Sequence, residues 1–206
     1  MSSSEIYVPQ PKLAQVSSEI LSVIRDRWSP YAFDGRTVAV ADIEQSLVAA
    51  SWAASSYNEQ PWYFLIAYRE ESAEFERMLS CLLDANQAWA KFASVLMLTV
   101  SQESFSRNGT PNRVHQHDLG QAAAHFALQA TAQGLAVHQM AGIHISKIRT
   151  EYQIPEGFVP QTAIAVGYAA EKPAVGQEEL IGRDQATRQR KPLSQFVFKG
   201  RWGTPS

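Results

Sequence analysis

The chain has 206 residues, 45% of them hydrophobic, and a formal net charge of -2. That is enough apolar sequence for one domain with a core of its own, and the near-neutral balance, without a strong basic or acidic run, excludes the usual footprint of a nucleic-acid binder. No apolar run reaches bilayer-spanning length and no basic, apolar leader stands at the N-terminus, so a soluble cytoplasmic protein without nucleic-acid or membrane partners is expected.

In chain order, residues 1–12 carry Pro9 and Pro11 and read as an extended arm, with one domain over 13–206. Leu13, Val16, Ile20 and Ile24 fall on one helical stripe and predict a helix to about Arg27. Pro30 then forces an extended or turning chain at Ser29. Arg27 offers a rigid fork of donors suited to an oxyanion or a carbonyl-rich ring, and Ser29 adds a hydroxyl; a helix end carrying a favourable cation is the plainer alternative. A second helix is predicted over 40–54, with Asp42 near its start. It gives way to a polar turn at Ser55, Ser56, Asn58 and Gln60, where Pro61 biases Gln60 away from helix, and then to an aromatic and aliphatic strand over 63–68. The turn either presents these hydroxyls and amides to a ligand or satisfies its own backbone with them.

An amphipathic helix follows over 70–83. It contains Cys81, the single cysteine, which reads as a small core residue rather than a nucleophile. A short helix over 86–91, a continuous apolar core strand over 94–100 and a loop over 102–113 come next. The loop contains Asn108-Gly109 and, at this length inside a compact domain, is a candidate lid or substrate-facing segment. His115, His117 and Asp118 match no strong metal spacing and are assigned surface or capping roles. Residues 118–135 form the clearest helix, with a small-residue face of Ala122, Ala123, Phe126, Ala127 and Ala130 and a stop at Gly134. An alternating run enters Gly142, then come a short helix over 146–152, a strand over 161–168 and a polar loop over 176–185. Arg188, Arg190 and Lys191 make a basic run that, alone, reads as a solvated face, ahead of a strand-like Phe196-Val197-Phe198.

The stretch Ser55-Ser56-Tyr57-Asn58-Glu59-Gln60-Pro61-Trp62-Tyr63-Phe64 resembles the flavin-binding segment of the nitroreductase family. The resemblance extends through Arg27-Trp28-Ser29, the segment ending Gln139-Met140-Ala141-Gly142, the turn Ile154-Pro155-Glu156-Gly157 with the strand end Gly167-Tyr168, and Arg188 and Arg190 ahead of Pro192-Leu193. It spans about residues 13–202 and keeps the family order. It implies an α+β fold, a central mostly antiparallel sheet flanked by helices, with a C-terminal tail crossing to the partner subunit. It also implies a homodimer holding FMN at its interface, NAD(P)H as co-substrate, and ping-pong reduction of a small electron-poor acceptor such as a nitroaromatic or quinone. The FMN-binding positions carried over are Arg27, Trp28, Ser29, Tyr31, Ser55, Ser56, Asn58, Gln60, Gln139, Met140, Ala141, Gly142, Arg188 and Arg190. No side chain is implied as a catalyst, and no metal. Tyr31 stands where many members have a lysine or arginine. A specialised flavoenzyme of the same fold, of flavin-fragmenting or reductive dehalogenase type, and a non-catalytic flavin-binding protein are the alternatives.

Overall fold

The structure, a computed structural model, describes residues 6–16, 18–172 and 175–205. Four strands form one sheet in the order β1-β2-β4-β3, with β1 at Trp62–Tyr68, β2 at Val95–Gln102, β3 at Ala136–Met140 and β4 at Phe158–Gly167. Every neighbouring pair is antiparallel. Strand β2 is buried from Val95 to Ser101 and β4 from Ala163 to Gly167. Strands covered on both faces read as continuous apolar runs rather than alternating ones, and β2 has that character in the sequence.

Side chains of a strand alternate between the two faces of its sheet, so the core divides in two. Leu96, Leu98, Ala163 and Ala165 face one side, packed with Phe75 and Met78 of α3 (Ser72–Leu79), Trp89 of α4 (Asp84–Ala90) and Ile148 of α6 (Ile145–Glu151). Val95, Met97, Ile164 and Val166 face the other, packed with Ile43 and Ala50 of α2 (Val40–Ser51) and Phe126 and Ala130 of α5 (His115–Ala132). The small side chains on α5 let it lie close to both α2 and the sheet. Gly134, at φ 81°, stops the chain after α5 and turns it into β3.

Four expectations change. The predicted helix over 13–27 shrinks to α1 (Ser22–Asp26); Leu13, Val16 and Ile20 are exposed, and a helix whose apolar stripe meets nothing gains little from packing. Ser17 and residues 1–5 of the expected arm lie outside the described residues. The polar stretch 176–185 is not a loop but contains α7 (Glu178–Asp184). Two glutamates in its first turn suit the helix dipole, and Leu180 packs on the core. The small-residue face of α5, expected from the sequence to serve close packing between subunits, is spent within the chain, since Ala122, Ala123, Phe126, Ala127 and Ala130 are all buried there. Phe196-Val197-Phe198 is not a strand: a 3-10 turn at Leu193–Gln195 precedes it, and Phe198 makes an isolated bridge to Pro205.

Segment 28–33 is pinned beside the sheet. Phe33 bridges Ala169, and the Tyr31 and Ala32 N–H groups donate to the Asp184 carboxylate at 3.0–3.1 Å. A Cβ added at Gly167 would stand 2.7 Å from Cδ1 of Phe33, a ring 1% exposed and stacked on Trp89. The Phe33 ring has nowhere to move, so Gly167→Ala is expected to destabilise the protein by about 1–3 kcal/mol. Urea unfolding monitored by tryptophan fluorescence measures this; an unchanged midpoint would contradict the tight contact.

Candidate functional site

Three arginines converge on one cavity. Arg27, Arg188 and Arg190 line a cleft of about 490 Å³ whose apolar wall is Val16, Ile20 and Ile24. Among the described residues, none of the three forms an ion pair with a carboxylate. Burial pushes the Arg27 pKa down, and the charge of Arg190 adds to it. Burial likewise pushes Arg188 down, followed by repulsion from Arg190 and Arg27 and partly opposed by Asp26. Arg188 is anchored by Nη1 donating to the carbonyls of Lys12 and Arg25 at 3.0 and 2.9 Å. Arg27 Nη1 donates to Ser29 Oγ at 3.3 Å. Crowded, partly desolvated cations without a counter-charge make a pocket that an anionic group with several acceptor oxygens would relieve.

Trp28, between Arg27 and Ser29, is 2% exposed, and its indole N–H donates to the Tyr7 carbonyl. Its side chain is a core group, which leaves only its main chain for a ligand. Tyr31 lies in an aromatic stack, edge-on to Trp89 and His138, with the guanidinium of Arg183 3.7 Å from its ring centre. Arg183 of α7 thus sets a cation over the Tyr31 ring. His138 Nδ1 lies 2.8 Å from the Pro30 carbonyl, so that nitrogen bears the hydrogen.

The polar turn after α2 is strained. Tyr57, Asn58 and Gln60 all have positive φ, at 54°, 55° and 53°. Left-handed backbone at such residues persists only where the surroundings enforce it. Here the Ser56 N–H donates to the buried Asp118 carboxylate, the Gln60 N–H to Ser55 Oγ, and the Asn58 N–H to the Ser55 carbonyl. Gln60 Nε2 donates to the Asn58 carbonyl at 3.3 Å. The turn therefore satisfies part of its own backbone and still leaves the Asn58 amide exposed, without a hydrogen bond to any described residue.

At the end of β3, Gln139 and Ala141 are exposed and Met140 is buried, so Met140 has only its main chain to offer. The Gly142 carbonyl accepts from the Leu83 N–H and from Asn86 Nδ2, both at 3.0 Å. A Cβ at Gly142 would collide with Asn86 Nδ2, so a larger residue there would displace the Asn86 amide from the Gly142 carbonyl.

These pieces fall into two groups. The arginine cleft, segment 28–31 and Gln139–Gly142 sit on the β3 side, linked through Pro30 and His138. The Ser55–Gln60 turn enters β1, the opposite edge. The strand registers put the start of β1 and the end of β3 toward the same end of the sheet, with Met140 level with Leu65, and the two edge strands are three interstrand steps or about 14 Å apart laterally. The sequence alone did not reveal Asp118, Asp184 or Arg183 as supports of this region. Asp118 and Asp184 are buried carboxylates engaged by main-chain N–H groups, and no short motif marks such a role. His115, considered beside them, pairs with Ser101 through Nδ1.

Residues 24–168 match the family model described as the nitroreductase family. The chain belongs to the nitroreductase family. The solved structure of an FMN-containing oxidoreductase shares 32% identity with it, superposes with a TM-score of 0.83, and the match covers 92% of this chain and 96% of that one. An uncharacterized 15.4 kDa protein of Mycolicibacterium smegmatis is 32% identical over 130 residues, covering 62% of this chain and 84% of that protein. A Methanothermobacter thermautotrophicus protein carrying the provisional name NADH dehydrogenase/NAD(P)H nitroreductase is 27% identical over 174 residues, covering 81% and 85% respectively. The family positions form no group of three or more possible metal ligands among the described residues, and no described helix is long and apolar enough to cross a membrane.

The half-buried His138 sets a pH dependence. Burial pushes its pKa below the usual 6.5, opposed by its bond to Pro30 and aided by Arg183 and Arg27. The unfolded chain then takes up a proton at 6.5 that the folded chain refuses until lower pH. Stability is full above 6.5 and falls as pH drops from there toward the depressed folded value. His138→Gln is expected to flatten this part of the profile; chemical denaturation across pH 5–8 checks it, and an unchanged slope would contradict a neutral, half-buried imidazole.

Proposed function

We propose that this nitroreductase-family protein is an FMN-dependent oxidoreductase that takes reducing equivalents from NAD(P)H and passes them to a small electron-poor acceptor, such as a nitroaromatic or quinone, in ping-pong order. The arginine cleft carries the reading: it is a preformed anion site at the positions where the family resemblance expects the flavin phosphate. The similarity to an FMN-containing oxidoreductase supports the cofactor, and the name of the Methanothermobacter relative supports the nicotinamide donor. FMN, when bound, would supply the two-electron redox chemistry between the nicotinamide and the acceptor. The chain's own residues bind and orient. Arg27, Arg188 and Arg190 hold the phosphate, with Ser29 beside them. Asn58, Gln60, Ser55 and Ser56 offer amide and hydroxyl groups to the polar edge of the ring system. The main chain over Gln139–Gly142 forms one wall, and Tyr31 with Arg183 forms another.

We also propose a homodimer, with each cofactor site shared. Each edge of the sheet carries part of the site, and the exposed apolar residues call for cover. Val48 and Trp52 on and after α2 are 60% and 82% exposed, and Phe196 and Trp202 in the tail are 57% and 92% exposed. A large apolar interface of this kind is normally obligate.

Purified protein should show a flavin spectrum that bleaches on anaerobic addition of NADH or NADPH. A flavin that neither donor reduces would favour the non-catalytic alternative, and protein that binds no FMN would overturn the reading. Arg27→Ala is expected to weaken FMN binding by about 1.5–3 kcal/mol, the worth of a charged hydrogen bond, and Asn58→Ala by about 1–3 kcal/mol, neither unfolding the chain. Fluorescence titration of apoprotein with FMN measures both; wild-type affinity in either variant would refute that residue's assignment. Truncation after Gln195 should lose dimer and flavin together, read by light scattering and absorbance on the same fractions. A truncated monomer with full flavin occupancy would defeat the shared-site proposal.

A further inference from the structure

The loop between β2 and α5 is fastened to the strained turn. The Ser106 N–H donates to Glu59 Oε1 at 2.7 Å, Gln102 Nε2 to Ser106 Oγ at 3.2 Å, and Tyr63 Oη to Gln102 Oε1 at 2.9 Å. The loop closes on itself through Phe105 N–H to the Thr110 carbonyl and Gly109 N–H to the Phe105 carbonyl, both at 2.8 Å. This fastening brings two side chains of the loop against Tyr57 of the turn. Tyr57 is 74% exposed, turned outward by its left-handed backbone. Phe105 meets it edge-on at 5.7 Å. The Arg107 guanidinium lies 4.0 Å from the Tyr57 ring centre and 5.3 Å from that of Phe105.

Arg107 is unusually free for a cation held in place. It donates no hydrogen bond to a described residue and joins no ion pair among them. Glu59 is close enough for the arginine to help lower its pKa, but the main cause of that shift is its hydrogen bonding to Ser106, which engages the carboxylate. The aromatic rings hold the guanidinium by its attraction to their faces, and its fork of N–H donors stays open to a planar anion. An exposed tyrosine ring and an open guanidinium fork, fixed side by side, match a flat π-system that bears a carboxylate or sulfonate.

We propose that Tyr57, Phe105 and Arg107 form the acceptor-recognition wall of this enzyme and select planar aromatic or quinonoid acceptors carrying an anionic substituent. The proposal rests on the reading of the Ser55–Gln60 turn as part of the flavin site, because Tyr57 lies between Ser56 and Asn58. It assigns Arg107 to the choice of acceptor and not to cofactor binding.

The test uses the flavin-loaded protein and three acceptors of one shape: 4-nitrobenzoate, 4-nitrobenzamide and a 4-nitrobenzyl ammonium ion. In ping-pong kinetics kcat/KM for the acceptor reports only the step in which the acceptor meets the reduced enzyme. Wild-type enzyme should prefer the benzoate over the amide, and the amide over the ammonium ion. Arg107→Ala should lower kcat/KM for the benzoate by about 10- to 100-fold, the span expected for a charged hydrogen-bonded contact, and narrow the preference toward unity. Arg107→Lys, which keeps the charge and loses the fork, should recover part of the loss. Arg107→Glu should reverse the order toward the ammonium ion. Flavin content, measured on each variant, separates the two readings. Wild-type protein without flavin defeats the functional reading itself. Flavin-loaded wild type with no preference by charge, or an Arg107→Ala variant that changes all three acceptors equally, overturns the acceptor proposal alone.

Discussion

Strand β2 has no face in water. Its backbone is paired on both sides, by β1 and β4, and its side chains alternate between two separate cores. Both layers of helices are therefore required to cover it, and the functional region is left only the rim of the sheet. Most candidate groups lie there, at the turn entering β1, the loop leaving β2, the exit from β3 and the segment strapped beside it, while Arg188 and Arg190 come from the chain after α7. A binding region confined to the ends of buried strands inherits their rigidity, and its geometry changes only if the core does.

The electrostatics at the rim run against stability. Arg27 and Arg188 are partly desolvated, and Arg190 crowds both. Asp184 is buried, and burial raises its pKa although two main-chain N–H groups oppose the rise. Three residues in four hold left-handed backbone around Asn58. Each arrangement costs free energy in the isolated chain, and a bound anion would relieve the crowding of the arginines. Such concentrations of strain and unbalanced charge mark a site more sharply than any one residue does.

Much of this was legible in the sequence. The apolar run of β2, the stripe and stop of α5 and the helix-turn-strand around Asn58 each rest on local pattern, and local pattern survived folding. So did the family motifs, because their order along the chain needs no tertiary knowledge. What could not be read depended on partners far away in sequence. The stripe from Leu13 to Ile24 has the right period and no surface within the described chain to meet, so most of it is not helical. Residues 178–184 look polar, yet Leu180 and Asp184 dock and the stretch winds into α7. The small face of α5 was legible as a face, but not what it would meet. The cation over Tyr31 escaped because it arrives from Arg183, 152 residues later.

The Asp184 clasp also has a consequence for synthesis. It joins the Tyr31 N–H to a carboxylate 153 positions further along the chain. A ribosome adding about 5–20 residues per second needs roughly 8–30 s to cover that distance, and throughout it segment 28–33 has no carboxylate to hold it. All four strands are made within this interval, with β4 finishing shortly before Asp184. The strap carrying Arg27 and Ser29 can be locked only after α7 emerges, and Arg188 and Arg190 follow within a few residues. The anion cleft can thus be completed only after every strand of the sheet has been made, because two of its three arginines follow α7 in the chain.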